Sequence, residues 1–211
     1  MTGSRLGASI CAMPPIFLVL LLAYALGCLS AGFYLARWKG LDLRQAGSGS
    51  TGARNVGRHL GPWAFALTFF LDLAKGLAAV LLARLLAPGP WAAPSAMLLV
   101  VAGHVWPIQL RFHGGRGISP AVGALMALSP LLTAVVAIPL LIGWAAARNF
   151  KRGGMLAVVV SPVLAWFLRH PLGLTWQDCT GFSLLAVLLV GTHLHTLKAR
   201  TEETPTSAVN A

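Results

Sequence analysis

Acidic residues are scarce in this 211-residue chain, which has five Asp and Glu residues against 16 Lys and Arg residues. Charged residues of both signs make up 10% of the sequence, whereas hydrophobic residues make up 57%, and the mean hydropathy is +0.76. A soluble domain normally has about 25% charged residues. So little charge excludes an ordinary soluble domain, and we predict an integral membrane protein.

Cysteine is scarce as well. Cys11, Cys28 and Cys179 are far apart and show no C-x-x-C spacing, so we expect apolar packing residues and not a disulfide framework. The six histidines do not cluster with the few acids, which argues against a metal site. A G-x-S-x-G elbow for a serine nucleophile is missing too. We therefore expect neither a metal ion nor another cofactor.

Uncharged or nearly uncharged hydrophobic stretches are abundant. Six are present, and the fourth, residues 117–147, has 31 residues and would make a helix of about 46 Å, longer than a bilayer core. Pro130 interrupts it, and basic residues flank both ends, which satisfies the positive-inside rule only with two crossings. The short first half could also be a re-entrant hairpin. We predict an all-α membrane bundle with seven transmembrane spans: residues 16–36, 62–86, 91–110, 118–129, 131–147, 153–168 and 181–196.

The basic residues determine the predicted orientation. Twelve Lys and Arg residues fall in the segments assigned to the inside and only Arg5 and Arg169 outside, with the N-terminus outside and the C-terminus cytoplasmic. This distribution places the formal charge of +11 at a membrane surface and argues against nucleic acid as a partner. We predict a single membrane domain, residues 1–200, and a disordered polar tail, residues 201–211.

The first predicted inside loop, residues 37–60, contains the stretch GSGSTGARNVGR. Its glycines match the G-x-G-x-x-G pattern, but no strand-forming segment precedes them and the next acid, Asp72, lies within a span, which excludes a Rossmann nucleotide site. Small residues still let backbone N–H groups approach an anion. The alternative is a flexible basic loop held to the membrane by anionic lipid. The composition predicts a phosphate site in which Ser48, Ser50, Thr51, Arg54, Asn55 and Arg58 add donors and charge to a backbone that includes Gly49 and Gly52.

A second inside segment, GHVWPIQLRFHGGRGISPAVG, has similar chemistry. Its glycines surround an arginine directly before a predicted helix that starts at Ile118, with Pro120 in the first turn. A helix N-terminus beside an arginine attracts anions. Two anion sites on one membrane face suggest substrates with more than one phosphate group. The predicted second-site residues are Gly114, Gly115, Arg116 and Gly117.

Two polar features lie within the predicted spans. Asp72 and Lys75 are three residues apart, a spacing that allows them to pair on one helix face. A structural ion pair is the favoured interpretation, and support beneath an active site is the alternative. His104 lies near the inside end of the third span, where a neutral histidine hydrogen-bonded within the bundle is favoured over a catalytic base.

Three stretches in order, DLRQAGSGSTGARNVGRHLG, LDLAKG and GHVWPIQLRFHGGRG, resemble the bacterial acyl-phosphate:glycerol-3-phosphate acyltransferase (PlsY) family, from about residue 31 to residue 128. The resemblance implies a seven-helix enzyme of the bacterial inner membrane whose active site faces the cytoplasm. Such an enzyme transfers a fatty acyl group from acyl phosphate to the 1-hydroxyl of sn-glycerol 3-phosphate, which gives lysophosphatidic acid and phosphate at the start of phospholipid biosynthesis. Membrane lipids and the enzyme that makes acyl phosphate are the implied partners.

The resemblance also assigns residues by position. Its first-loop substrate contacts are Ser48, Gly49, Asn55 and Arg58. Arg116 stands where the family usually has lysine, so the charge is kept but its geometry differs. Because acyl phosphate is already activated, we expect no covalent acyl-enzyme. The general base is unassigned: His104 and His193, which matches a family histidine, are candidates, and a phosphate oxygen of the donor could itself take the proton.

Several positions depart from the family pattern. The family prefers asparagine at Ser50, threonine at Arg54 and a basic residue at His113. Near the C-terminus, Leu194 and Thr196 stand in place of arginine and asparagine. These departures leave two alternatives open: a paralogue with a different acceptor, and a transporter or regulatory membrane protein that binds phosphate or lipid.

Overall fold

A computed structural model describes residues 15–148 and 150–202, and all regular secondary structure in this part of the chain is helical. This confirms the predicted all-α class. Two short 3-10 helices, Leu43–Gln45 and Ile108–Leu110, lie in the loops. The α-helices of the described residues are α1 (Pro15–Cys28), α2 (Ala31–Trp38), α3 (Ala53–Leu60), α4 (Pro62–Leu86), α5 (Ala92–Val105), α6 (Ile118–Leu128), α7 (Pro130–Ala147), α8 (Phe150–Phe167) and α9 (Trp176–Glu202).

Among the described residues, three helical segments are long and apolar enough to cross a membrane: Pro15–Trp38, Pro62–Leu86 and Ala92–Leu110. The apolar helices Ile118–Leu128 and Gly153–Phe167 are shorter, as is most of α7. The chain is therefore a helical membrane protein, while the seven spans and their orientation stay a prediction. Residues 203–211 of the predicted tail lie outside the described residues.

The predicted division of the long fourth stretch is present. The helix α6 ends at Leu128, and α7 begins at Pro130. Between them the side chain of Ser129 accepts a hydrogen bond from the backbone N–H of Leu132 at 3.1 Å, which caps the new helix. Proline in the first turn has no N–H to lose, so the sequence Ser-Pro both ends one helix and starts the next.

The predicted span 16–36 is not one helix, because the chain is interrupted between Cys28 and Ala31. The N–H of Leu29 closes α1 on the carbonyl of Leu26 at 3.1 Å. The hydroxyl of Ser30 then donates to Oγ1 of Thr51 at 3.0 Å. A contact with a distant loop therefore replaces the helical bonds here, and hydropathy alone does not reveal it.

Close helix packing depends on glycine. The helix α4 packs against α6, and α1 packs against α5. A Cβ on Gly76 or Gly123 would clash with a carbonyl oxygen of the facing helix, and so would a Cβ on Gly27 or Gly103. Small residues at such contacts let helices approach closely in a membrane. The helix α4 also packs against α1 and α5, so these three helices lie together beneath the loops.

Candidate active site

The first glycine-rich loop, residues 46–52, is organised by the side chain of Asn55. Its Oδ1 accepts the N–H of Ser48 at 3.1 Å, and its Nδ2 donates to the carbonyls of Ala46 and Ser50, both at 2.9 Å. Asn55 is only 2% exposed. An amide side chain has two N–H donors, and both have partners here. The geometry indicates that Asn55 holds the loop in shape.

The remaining first-loop residues surround this amide. Gly47 and Gly49 have positive φ angles of 61° and 69°, a conformation that side chains other than glycine rarely adopt. Ser48 and Ser50 are half-buried, and the Ser50 hydroxyl accepts the N–H of Gly52 at 3.3 Å. Arg58 is exposed on α3, one turn beyond Asn55. The loop thus presents glycine backbone and short hydroxyl side chains, with an arginine nearby.

Just before this loop, Asp42 and Arg44 form a surface ion pair. The guanidinium of Arg44 donates to both carboxylate oxygens, at 3.0 and 2.7 Å. These hydrogen bonds, together with one from the Arg44 backbone N–H, lower the pKa of Asp42 from 3.8 to about 2. The guanidinium also lies 5.3 Å from the centre of the Phe33 ring on α2. The pair therefore joins the loop to α2 from the outside.

The second loop, residues 111–117, is held mainly by its backbone. The N–H of Gly114 donates to the carbonyl of Val105 at 3.1 Å, and the N–H of Gly115 donates to the carbonyl of His104 at 3.0 Å. A Cβ on Gly115 would clash with Nε2 of the His104 ring. The loop is therefore seated on the last turn of α5, and Gly117, with φ 81°, leads into α6.

The two loops meet. The N–H of Thr51 donates to the carbonyl of Gly114 at 3.3 Å. A side-chain carbon placed on Gly52 would lie 3.9 Å from both the Cα of Gly115 and the backbone nitrogen of Arg116. Two stretches that the sequence predicted separately as anion sites are thus neighbours across one surface.

Beneath the loops lies an ionic cluster of Asp72, Lys75 and His104. The Lys75 ammonium lies 2.8 Å from Oδ1 of Asp72 and 2.9 Å from Nδ1 of His104. It also donates to the carbonyls of Gly27 at 3.0 Å and Leu29 at 2.7 Å. The predicted Asp72–Lys75 pair is present, and His104 is hydrogen-bonded within the bundle as expected. The sequence did not predict that the three residues meet.

The cluster fixes the tautomer of His104. When Lys75 is charged, its ammonium group can only donate, so Nδ1 of His104 accepts from it and the ring proton lies on Nε2. The imidazole is 3% exposed, and its Nε2 edge faces Gly115 in the second loop. In this arrangement His104 has no free nitrogen with which to remove a proton from a substrate.

His193 lies on α9, where it is half-buried. One helical turn before it, Leu189 is close to Gly117: a Cβ on Gly117 would lie 3.3 Å from Cδ2 of Leu189. Residues four apart share a helix face. His193 is therefore on the face of α9 that approaches the second loop.

A family model described as glycerol-3-phosphate acyltransferase matches residues 17–202. A glycerol-3-phosphate acyltransferase of Thermus thermophilus is 39% identical over 88% of this chain and 91% of its own length. A glycerol-3-phosphate acyltransferase 1 of Desulfitobacterium hafniense is 35% identical over 81% of this chain and 83% of its own length.

A solved structure is similar as well. The crystal structure of PlsY (YgiH), an integral membrane glycerol 3-phosphate acyltransferase, in its glycerol 3-phosphate form has a TM-score of 0.78 and 27% sequence identity. The match covers 89% of this chain and 92% of the other. The lysophosphatidic acid form of the same protein matches with a TM-score of 0.76. The sequence comparison and the structural comparison thus each cover most of this chain.

Proposed function

Since the chain belongs to the glycerol-3-phosphate acyltransferase family, we propose that its adjoining glycine-rich loops form the active site. The enzyme transfers a fatty acyl group from acyl phosphate to the 1-hydroxyl of sn-glycerol 3-phosphate. The products are lysophosphatidic acid and phosphate, and the reaction belongs to phospholipid biosynthesis.

The observation that carries this assignment is the hydrogen bond that joins the two loops, from the N–H of Thr51 to the carbonyl of Gly114 at 3.3 Å. Donor and acceptor each carry a phosphate group, and the reaction requires both at one place. Glycine backbone admits anions closely, and the arginines Arg58 and Arg116 supply positive charge. The adjoining loops therefore suit two phosphates held side by side. Ser48 and Ser50 add hydroxyl groups to the same surface.

The chemistry needs positioning more than a protein nucleophile. The 1-hydroxyl oxygen attacks the acyl carbon, the bond from that carbon to the phosphate oxygen breaks, and phosphate leaves with the electron pair. Guanidinium groups stabilise the charge that develops on the leaving phosphate. Since Nε2 of His104 carries a proton, this residue does not act as the base. We assign a phosphate oxygen of the donor as the group that accepts the hydroxyl proton, and His193 is the remaining candidate for this role among the protein side chains.

Asn55 has a different role in this proposal from the substrate contact that the resemblance implies. Both of its N–H donors are used by loop carbonyls, so it shapes the loop that contacts substrate.

The proposal also includes the predicted topology: seven spans in the bacterial inner membrane with the loops facing the cytoplasm. The acyl chain then stays among membrane lipids, and the enzyme that makes acyl phosphate supplies the donor.

Membranes that contain the protein test the proposal directly. Labelled glycerol 3-phosphate is offered with acyl phosphate, acyl-CoA or acyl carrier protein, and lysophosphatidic acid is measured. We expect product with acyl phosphate, and product with acyl-CoA alone would overturn the donor assignment.

Arg58→Ala should lower kcat/KM by about 100-fold or more, as loss of a charge-stabilising group does. Arg169→Ala, on the predicted opposite side, is the matched control, and equal losses in both variants would overturn the site.

A further inference from the structure

Lys75 lies at the interruption between α1 and α2. The last carbonyls of a helix have no donor within that helix, and in an apolar environment each such group is costly. Lys75 donates to the carbonyls of Gly27 and Leu29, and the side chain of Gln109 donates to the carbonyl of Cys28. Three consecutive carbonyls at the interruption thus have side-chain donors, and Lys75 supplies two of the bonds.

The first loop is seated on this interruption. Ser30, which lies within it, donates to the hydroxyl of Thr51. Gly32, at the start of α2, allows the carbonyl of Thr51 to approach, since a Cβ on Gly32 would clash with that oxygen. The position of the first loop therefore depends on where α1 stops, and Lys75 binds the chain at that point.

The second loop is connected to the same ammonium group through His104. Lys75 donates to Nδ1 of the ring, and the opposite edge of the ring, Nε2, lies against Gly115. Asp72 lies 3.5 Å from Nδ1 and 2.8 Å from the ammonium, so it balances the charge of the cluster. One side chain, 7% exposed, thus contacts the supports of both loops.

We propose that Lys75 is a positioning residue that sets the separation of the two loops. It holds the end of α1 on one side and the imidazole under the second loop on the other. An ion pair that only stabilised helix packing would not need contacts with both supports. The inference rests on the proposed function in so far as these loops form the active site.

Cross-linking measures the loop separation without substrate. Cysteines are placed at Gly52 and Arg116 in a chain whose three native cysteines are replaced by alanine, and disulfide formation in membranes is followed by mass spectrometry. A disulfide forms only when the Cα atoms are within about 7 Å. Lys75→Met should slow cross-linking by about tenfold, because small displacements remove that geometry. An unchanged rate would overturn the inference.

Arg84→Met is the matched control. Arg84 is on the same helix α4, and it donates to the carbonyl of Leu128 at the end of α6 at 2.6 Å. It therefore also binds a terminal carbonyl of a neighbouring helix, but it lies about 14 Å along the helix from Lys75. We expect Arg84→Met to leave the cross-linking rate unchanged. Equal slowing in both variants would show general loosening of the bundle and would overturn the inference.

Kinetics of the otherwise unmodified enzyme separate this inference from the proposed function. Lys75→Met should raise KM for glycerol 3-phosphate by about tenfold, because misplaced contacts weaken substrate binding. A purely structural role would lower the amount of active enzyme and leave KM unchanged. Slower cross-linking with an unchanged KM would mean that Lys75 positions the loops but that the loops are not the active site.

If Lys75→Met does not fold, His104→Asn keeps the test decisive. Asparagine retains an acceptor near the position of Nδ1 for Lys75 and removes the ring edge beneath Gly115. Cross-linking should then slow by a smaller factor, about threefold, because only the second loop loses its support. An unchanged rate in this variant would overturn the connection through His104.

Discussion

The two loops of the site are held by different means. In the first loop, a single buried side chain, Asn55, bonds to three backbone groups. In the second loop, backbone N–H groups of Gly114 and Gly115 bond to the carbonyl end of α5, and glycine leaves room for the His104 ring. The first loop therefore depends on one functional group, whereas the second depends on the absence of side chains.

This difference has a physical origin. The first loop joins α2 to α3, and its backbone groups at Ala46, Ser48 and Ser50 bond to a side chain and not to the end of a helix. The second loop comes after the 3-10 helix Ile108–Leu110 and folds back onto the end of α5, whose last carbonyls need donors, so loop and helix end satisfy each other. Each loop should accordingly be sensitive to a different kind of substitution.

The largest effect is expected from Asn55→Ala. The change leaves the N–H of Ser48 and the carbonyls of Ala46 and Ser50 without their partner, at about 1 kcal/mol for each of these half-buried groups. The loop should lose its shape, and kcat/KM for acyl transfer should fall by about 100-fold or more. Gln45→Ala, an exposed neighbour in the 3-10 helix Leu43–Gln45, is the control with little expected change. Activity within about threefold of wild type in Asn55→Ala would contradict the organising role.

The second loop is tested by Gly115→Ala. The added methyl group meets Nε2 of His104, and overpacking of this kind costs about 1–3 kcal/mol. We expect kcat/KM to fall by about tenfold, less than for Asn55→Ala, because the backbone bonds of the loop remain. Gly191→Ala on α9 adds the same methyl group in open space and should have no effect. If both glycine variants kept full activity, the close contact with His104 would be irrelevant to the site.

Much of this architecture could be predicted from the sequence, because it depends on local signals. Hydropathy indicated the helices α4 to α9. Ser129-Pro130 indicated the division of the long stretch, and the three-residue spacing indicated the Asp72–Lys75 pair. The glycine-rich loops were recognisable as possible anion sites by composition. These features involve residues close in sequence, where helix periodicity and proline chemistry decide the structure.

The rest depends on contacts between distant residues. The interruption after Cys28 is stabilised by Lys75 and Thr51, which are more than 20 residues away. The role of Asn55 as a loop organiser is not visible either, since an amide beside arginines equally suggests a ligand contact. The small residues Gly27, Ser30 and Gly32 are the one local signal that could have indicated a break within the first apolar stretch.

Ser30→Ala tests the connection between the interruption and the first loop. It removes a buried hydrogen bond to Thr51 and should lower the free energy of unfolding by about 1–3 kcal/mol, with a loss of activity of a few-fold. Thermal unfolding in detergent measures the change. Ser161→Ala is the control, because the buried Ser161 hydroxyl has no hydrogen-bond partner among the described residues. Equal losses of stability in both variants would remove the special role of the Ser30–Thr51 bond.

The smallest effect is expected at the outer edge of the first loop, from Asp42→Asn. Arg44 lowers the pKa of Asp42 to about 2, so the ionised carboxylate stabilises the folded state. That contribution is complete above the usual pKa of 3.8 and disappears as the pH falls towards 2. Activity at neutral pH should change by less than about twofold, because surface ion pairs contribute little. The melting temperature of wild type should exceed that of Asp42→Asn slightly at pH 6, and the difference should vanish near pH 2 and in an Arg44→Ala background. A large loss of activity in Asp42→Asn would instead mean that the surface pair, and not Asn55 alone, holds the first loop.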